Sequence, residues 1–185
     1  MTHRSPRHLL LALCLYLPLG VTAVEPAPSE NAIASAHAYR ALSLGNIPET
    51  VRQARSALDQ LPREAAARRG IPAALLGIAA WSDGDLVEAV RALKEASAAF
   101  QLAGNAVQAI TGTYVLATIF ATLGRLREAE DQCRRSVDLA ETVGPGLRWV
   151  TADLHAAWSE ICLGRHDLEG ADDHLRQSER LATTA

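Results

Sequence analysis

The stretch WSDGDLVEAVRALKEAS, residues 81–97, decides the fold because the chain repeats its pattern three more times. The related stretches are LSLGNIPETVRQARSAL at 42–58, ATLGRLREAEDQCRRSV at 121–137 and GRHDLEGADDHLRQSE at 164–179. Each contains one residue that opens an amphipathic segment; these residues are Ile47, Leu86, Leu126 and Leu168. They lie 39, 40 and 42 residues apart. A fixed period of this size is the signature of a repeat architecture.

Small residues at fixed positions predict two helices in every repeat. Three residues after the opening position comes a small side chain: Thr50, Ala89, Ala129 or Ala171. Seven residues further comes another: Ala57, Ala96, Ser136 or Ser178. Positions i and i+7 share one face of a helix, so the segment after each opening residue is predicted to be a helix with a buried stripe.

A second apolar segment ends just before each opening residue, near a glycine that can adopt the left-handed conformation closing a helix. These turns fall near residues 45, 84, 124 and 165, where the last one uses Gly164 or His166. One hairpin cannot bury its stripe alone, whereas stacked hairpins share a core. We therefore predict an all-α fold, an α-solenoid (superhelix) of about four helix–turn–helix repeats, with at least seven helices and no sheet. Pro72 should start or kink its helix.

Composition limits the classes of function. The chain has 185 residues, enough for one domain, and a net charge of −3, which does not favour nucleic acid or an anionic membrane. Aromatic residues make up only 4 %, as expected for an alanine- and leucine-rich helical protein. The three cysteines show no CxxC or metal-type spacing.

The turn G-[ND]-[IL] and the second-helix pattern A-x3-L-x2-A resemble tetratricopeptide repeats (TPR). The longer period, with the phrases SALDQLPREAAARRG (56–70) and CLGRHDLEGADDHL (162–175), resembles the MalT-like TPR region over roughly residues 31–182. That region is the sensor arm of large ATP-binding transcriptional regulators of the LuxR type. The resemblance implies an arm that binds small-molecule inducers or regulatory proteins and serves signal sensing and transcription regulation.

The modules that accompany this arm are not found in the sequence. There is no GxxxxGK[ST] loop for phosphates, and no basic recognition helix follows the last repeat. We therefore expect a non-catalytic binding scaffold that neither hydrolyses ATP nor binds nucleic acid directly, and that needs no cofactor. The alternative is an exported TPR scaffold that assembles protein partners in the cell envelope.

The N-terminal stretch separates these two interpretations. Residues 1–24 place Arg4 and Arg7 before a short apolar run and end in a small-x-small pattern, as in a secretory signal peptide. The run is too short for a stable membrane span. The competing interpretation is a remnant of a preceding helix in a cytoplasmic protein, which we take as the primary localisation, with periplasmic or secreted as the alternative. Residues 25–30 form a linker, and 31–185 form the repeat domain.

The candidate binding site follows from the resemblance. In TPR superhelices the first helices of successive hairpins line a concave groove, and counting back from the turns places six residues near it: Tyr39, Ile78, Trp81, Tyr114, Thr118 and Glu160. Aromatic anchors mixed with hydroxyl and carboxylate groups suit a protein segment or a small-molecule effector. Self-association of the chain is a further expected kind of contact. In HDLEGADDH (166–174) the pairs His166/Asp173 and Asp167/His174 could share a helix face, but a charged first turn explains them better than a metal. No catalytic, cofactor or metal residue is assigned.

Overall fold

The computed structural model describes residues 29–183, which form α-helices and two short 3-10 helices without any strand in that range. The residues fall into two compact units, one ending at Ala103 and the other beginning at Gly104. The predicted fold class, all-α with four helix–turn–helix repeats of the α-solenoid type, is confirmed. The interpretation of residues 1–24 and of linker residues 25–28 concerns a stretch outside the described residues.

The first unit contains two helical hairpins. Helices α1 (Glu30–Ser43) and α2 (Ile47–Asp59) form the first hairpin, and α3 (Gly70–Asp83) and α4 (Leu86–Leu102) form the second. A 3-10 helix (Ala66–Arg69) leads directly into α3, so Pro72 lies in the first turn of its helix, as predicted. Helix α3 packs against α1, α2 and α4, and 10 of its 14 residues are buried.

The second unit repeats this plan. Helices α5 (Ala106–Thr122) and α6 (Leu126–Val143) form its first hairpin, and α7 (Ala152–Gly164) and α8 (Leu168–Ala182) form its second. A 3-10 helix (Pro145–Thr151) joins them and packs on α6 and α7. The four opening residues found in the sequence are the first residues of α2, α4, α6 and α8, which confirms the predicted repeat boundaries.

Local chemistry explains why the second helices begin where they do. The side chains of Asn46 and Asp85 each accept a hydrogen bond from the backbone N–H three residues later, at 3.2 and 3.0 Å. Asp167 caps α8 in the same way, at 2.9 Å. Such caps satisfy backbone donors that the helix itself leaves unpaired.

The left-handed residues of the turns follow the predicted pattern with one difference. Gly45, Gly84 and Gly124 have φ angles of 71°, 85° and 72°. In the last hairpin, Gly164 is still helical and His166 takes the left-handed conformation, with φ of 62°. Of the two residues that the sequence left open there, His166 is the one in the left-handed conformation, although glycine would adopt it with less strain.

Small residues allow the two helices of a hairpin to approach closely, and Gly77 on α3 is the clearest case. A Cβ atom added there would lie 2.6 Å from Leu93 Cγ and 3.1 Å from the Leu93 backbone nitrogen. Gly112 on α5 would meet nothing within 4 Å.

These two glycines give a matched prediction. Gly77→Ala should lower the free energy of unfolding by about 1–3 kcal/mol, because the added methyl group overpacks the contact between α3 and α4. Gly112→Ala should raise it by about 0.5–1 kcal/mol, because alanine favours the helix where space is open. Urea unfolding followed by circular dichroism measures both. Equal effects of the two substitutions would contradict the close approach at Gly77.

Candidate functional site

Three of the six predicted site residues belong to the first unit. Tyr39 on α1 and Trp81 in the last turn of α3 are both partly exposed. Ile78, also on α3, is only 3 % exposed. The prediction for Ile78 is therefore corrected: its side chain belongs to the core of the first unit, because α3 has neighbours on several sides.

The other three predicted residues belong to the second unit. Tyr114 and Thr118 lie one turn apart on α5, both partly exposed, and the Thr118 hydroxyl donates to the Tyr114 carbonyl at 3.0 Å. Glu160 on α7 is exposed. The predicted groove would join residues of both units, and it stays a prediction.

Within residues 29–183, a partly exposed aromatic side chain recurs on each first helix, and Trp149 in the second 3-10 helix is a further one. The first helix of each hairpin carries one partly exposed aromatic side chain: Tyr39 on α1, Trp81 on α3, Tyr114 on α5 and Trp158 on α7. By contrast, Phe120 on α5 is fully buried. Partly exposed aromatic side chains offer contact area at a small cost in side-chain entropy, which is why they are enriched in binding surfaces.

A ring cluster in the second unit was not found from the sequence. His155 and Trp158 on α7 meet His174 on α8, and the Trp158 and His174 ring centroids lie 4.2 Å apart at an interplanar angle of 20°. The guanidinium of Arg134 on α6 lies 6.0 Å from the Trp158 centroid, within cation–π range. The cluster thus connects three helices of the second unit.

The two imidazoles of the cluster are joined through their Nδ1 atoms, which are 3.1 Å apart. Their centroids lie 5.3 Å apart, close to the greatest separation that this nitrogen distance allows, so the two nitrogens point at each other. One Nδ1 therefore donates a proton and the other accepts it. Only one proton fits between them.

Burial makes these imidazoles hard to protonate. Burial, with smaller contributions from His174 and Arg180, lowers the pKa of His155 to about 4. Burial also lowers the pKa of His174, although Asp173, Glu130 and Asp167 oppose the shift. Both rings are therefore held neutral at physiological pH, because the folded unit disfavours the charged form.

The acidic and histidine-rich stretch 166–174 serves structural roles. Asp167 caps α8, His166 forms the turn, and His174 belongs to the ring cluster. Within residues 29–183 no group of three or more His, Cys, Asp or Glu side chains is placed to hold a metal. Cys133 and Cys162 are free and buried, and burial raises the pKa of the Cys133 thiol to about 12.

A second cluster, around Arg69, also escaped the sequence analysis. Its guanidinium donates from Nη1 to the carbonyls of Leu58 and Leu61 at 2.9 and 2.8 Å, and from Nε to Glu95 at 2.6 Å. Arg69 thereby ties the end of α2 to α4 at the entrance of α3. The sequence signal was weak, since Arg69 and Glu95 are 26 residues apart.

Within the described range of 29–183, no helix combines the length and apolar character that crossing a membrane requires. Among curated proteins, none matches the sequence significantly. A family model described as the MalT-like TPR region matches residues 31–184, which is more than half of the chain. With four helical hairpins that begin where the repeats of the sequence predict, the chain belongs to the MalT-like TPR family.

Proposed function

We propose that this chain is a non-catalytic binding scaffold whose helical hairpins hold a segment of a partner protein or a small effector. The observation that carries the proposal is the partly exposed aromatic side chain on the first helix of each hairpin, in a chain with only 4 % aromatic residues. Aromatic side chains dominate the energetics of binding surfaces. Membership of the MalT-like TPR family supports a role as the sensing arm of a LuxR-type transcriptional regulator.

The proposal predicts that Trp81 and Tyr114 contribute more to binding than to stability. An unbiased peptide library displayed on phage is panned against the full-length chain, and the affinity of the selected peptides is measured for Trp81→Ala and Tyr114→Ala. We expect about a tenfold loss of affinity for at least one variant, because removing an aromatic anchor costs on the order of 1–2 kcal/mol of binding free energy.

Thermal stability of each variant is measured alongside binding. Val87→Ala is the matched control, because Val87 is an apolar residue of the second helix α4 and is 84 % exposed. It should change neither quantity. If Trp81→Ala and Tyr114→Ala lose as much stability as affinity, both side chains act as core residues and the proposal fails.

An exported scaffold is the second candidate function, and the sequence of residues 1–24 favours it through its arginines, apolar run and small-x-small ending. A reporter enzyme that is active only after export, fused behind the full-length chain, separates the two candidates. Reporter activity with cleavage near residue 23 would favour the envelope scaffold, and an inactive reporter on an intact chain would favour the regulatory arm.

A further inference from the structure

A cleft of about 420 Å³ in the first unit combines positive charge with apolar surface. It lies between the segment 63–69 and helix α4. Its basic side chains are Arg63, Arg69 and Arg91, and Ala98 and Leu102 contribute apolar surface. Leu102 is 69 % exposed, so its apolar surface is open to a partner. We refer to this feature as the arginine cleft.

Positive charge in the arginine cleft exceeds what its single carboxylate can neutralise. The Glu95 carboxylate forms ion pairs with two arginines. Its oxygens lie 2.6 Å from Arg69 Nε and 3.5 Å from Arg91 Nη1. Arg91 also pairs with Glu88, at 2.8 Å, which lies outside the lining. Arg63 is exposed, and among the described residues no carboxylate lies within ion-pair distance of it. The lining carries three arginines and one glutamate, and because Glu88 pairs with Arg91 from outside it, the charge that no carboxylate balances is the single charge of Arg63.

One side of the cleft is held in place before any ligand arrives. Arg69 is fixed by two backbone carbonyls as well as by Glu95, so its guanidinium cannot swing out. Ala98 is an exposed residue within the regular helix α4. A preformed surface binds more tightly than one that must be ordered on binding, because less conformational entropy is lost.

We propose that the arginine cleft docks an acidic segment of a partner protein in which a carboxylate stands next to an apolar side chain. The carboxylate would pair with the guanidinium of Arg63 through two parallel hydrogen bonds, a bidentate geometry that arginine favours. The apolar side chain would cover Ala98 and Leu102 and remove their surface from water. This inference rests on the proposed function and adds to it a second surface and the chemistry of its partner.

Charge elsewhere in the chain argues against nucleic acid as the occupant. Residues 104–183 contain 8 arginines and 12 acidic residues, which gives 8 − 12 = −4. Nucleic-acid binding depends on many phosphate contacts, and a strongly acidic second unit opposes them. A short acidic protein segment needs only the local positive charge of the cleft.

The same phage-displayed peptide library, panned against the full-length chain, tests the proposal. Selected peptides should carry Asp or Glu beside an aliphatic or aromatic residue, and their affinity should fall as salt rises. Arg63→Glu should reduce that affinity about tenfold or more because it reverses the charge that pairs with the peptide carboxylate. Ala98→Glu should have an effect of about the same size because it places a carboxylate on the apolar surface. Arg127→Glu, an exposed arginine on α6 of the second unit, is the matched control and should change nothing.

Each other outcome has a defined meaning. Acidic peptides that bind equally well to Arg63→Glu and Ala98→Glu overturn the docking site, and the proposed function survives if Trp81→Ala or Tyr114→Ala abolishes their binding. Selected peptides without acidic residues overturn it as well. If no peptide binds the chain at all, the docking site fails, and the proposed function is reduced to the binding of a small effector. Sedimentation measures whether the chain associates with itself. If it does, and if Arg63→Glu abolishes the association, the cleft binds a second copy of the chain and the proposed partner is wrong.

Discussion

Arg69→Met is expected to lower the free energy of unfolding by about 3 kcal/mol, the largest effect of a single substitution that we predict. The arginine side chain is 17 % exposed and makes three charge-assisted contacts, to Leu58, Leu61 and Glu95. Methionine fills a similar volume without a donor, so the Leu61 carbonyl loses its bond from Arg69 and the Leu58 carbonyl keeps only the Leu61 N–H, at 3.2 Å. Hydrogen bonds to a charged group contribute about 1.5–3 kcal/mol each, and they do not add fully.

Arg91→Met is the matched control for this experiment. Arg91 also contacts Glu95, but its side chain is 57 % exposed and within residues 29–183 it bonds no backbone carbonyl. An exposed ion pair contributes about 0–1 kcal/mol, so this variant should be nearly as stable as the parent. Urea unfolding by circular dichroism compares the two, and equal losses would contradict the role of Arg69 in tying α2 to α4.

Acid is expected to destabilise the second unit through its buried imidazoles. Because the folded-state pKa of His155 is lowered from 6.5 to about 4, the unfolded chain takes up a proton first as pH falls. Stability from this group is therefore fully present above about pH 6.5 and is lost as pH falls toward 4. Integrated over that window, the loss reaches at most about 3 kcal/mol.

His155→Phe isolates this effect, because phenylalanine keeps an aromatic ring beside Trp158 and cannot take up a proton. Denaturant midpoints measured between about pH 7 and pH 5 should depend on pH less steeply in this variant than in the parent. Parallel curves for His155→Phe and the parent would show that the buried pair does not control acid stability.

Features that depend on local chemistry were predictable from the sequence. The starts of α2, α4 and α8 follow from Asn46, Asp85 and Asp167, whose side chains cap the helices directly after the turn. Caps and turns act over a few residues, so the periodic pattern locates them well. The turn at Gly104, with φ of 70°, and both 3-10 helices were not predicted, because they lie between repeats.

Features that depend on tertiary contacts were only partly predictable. Ile78 was placed on a groove by its distance from the turn, but residues 72–80 of α3 are apolar on every side, and this part of the helix is buried all round. The pairs Arg69–Glu95 and His155–His174 span 26 and 19 residues and cross between helices. No helical period relates such positions, so only the packed structure brings them together.

The buried thiol of Cys133 provides an internal measure of how often the second unit opens. The side chain is 0 % exposed, and a thiol with a pKa of about 12 is almost entirely protonated at neutral pH. A thiol reagent reacts with the thiolate, and it reaches Cys133 only after α6 has separated from its neighbours. The rate of alkylation at this position therefore reports the population of opened molecules.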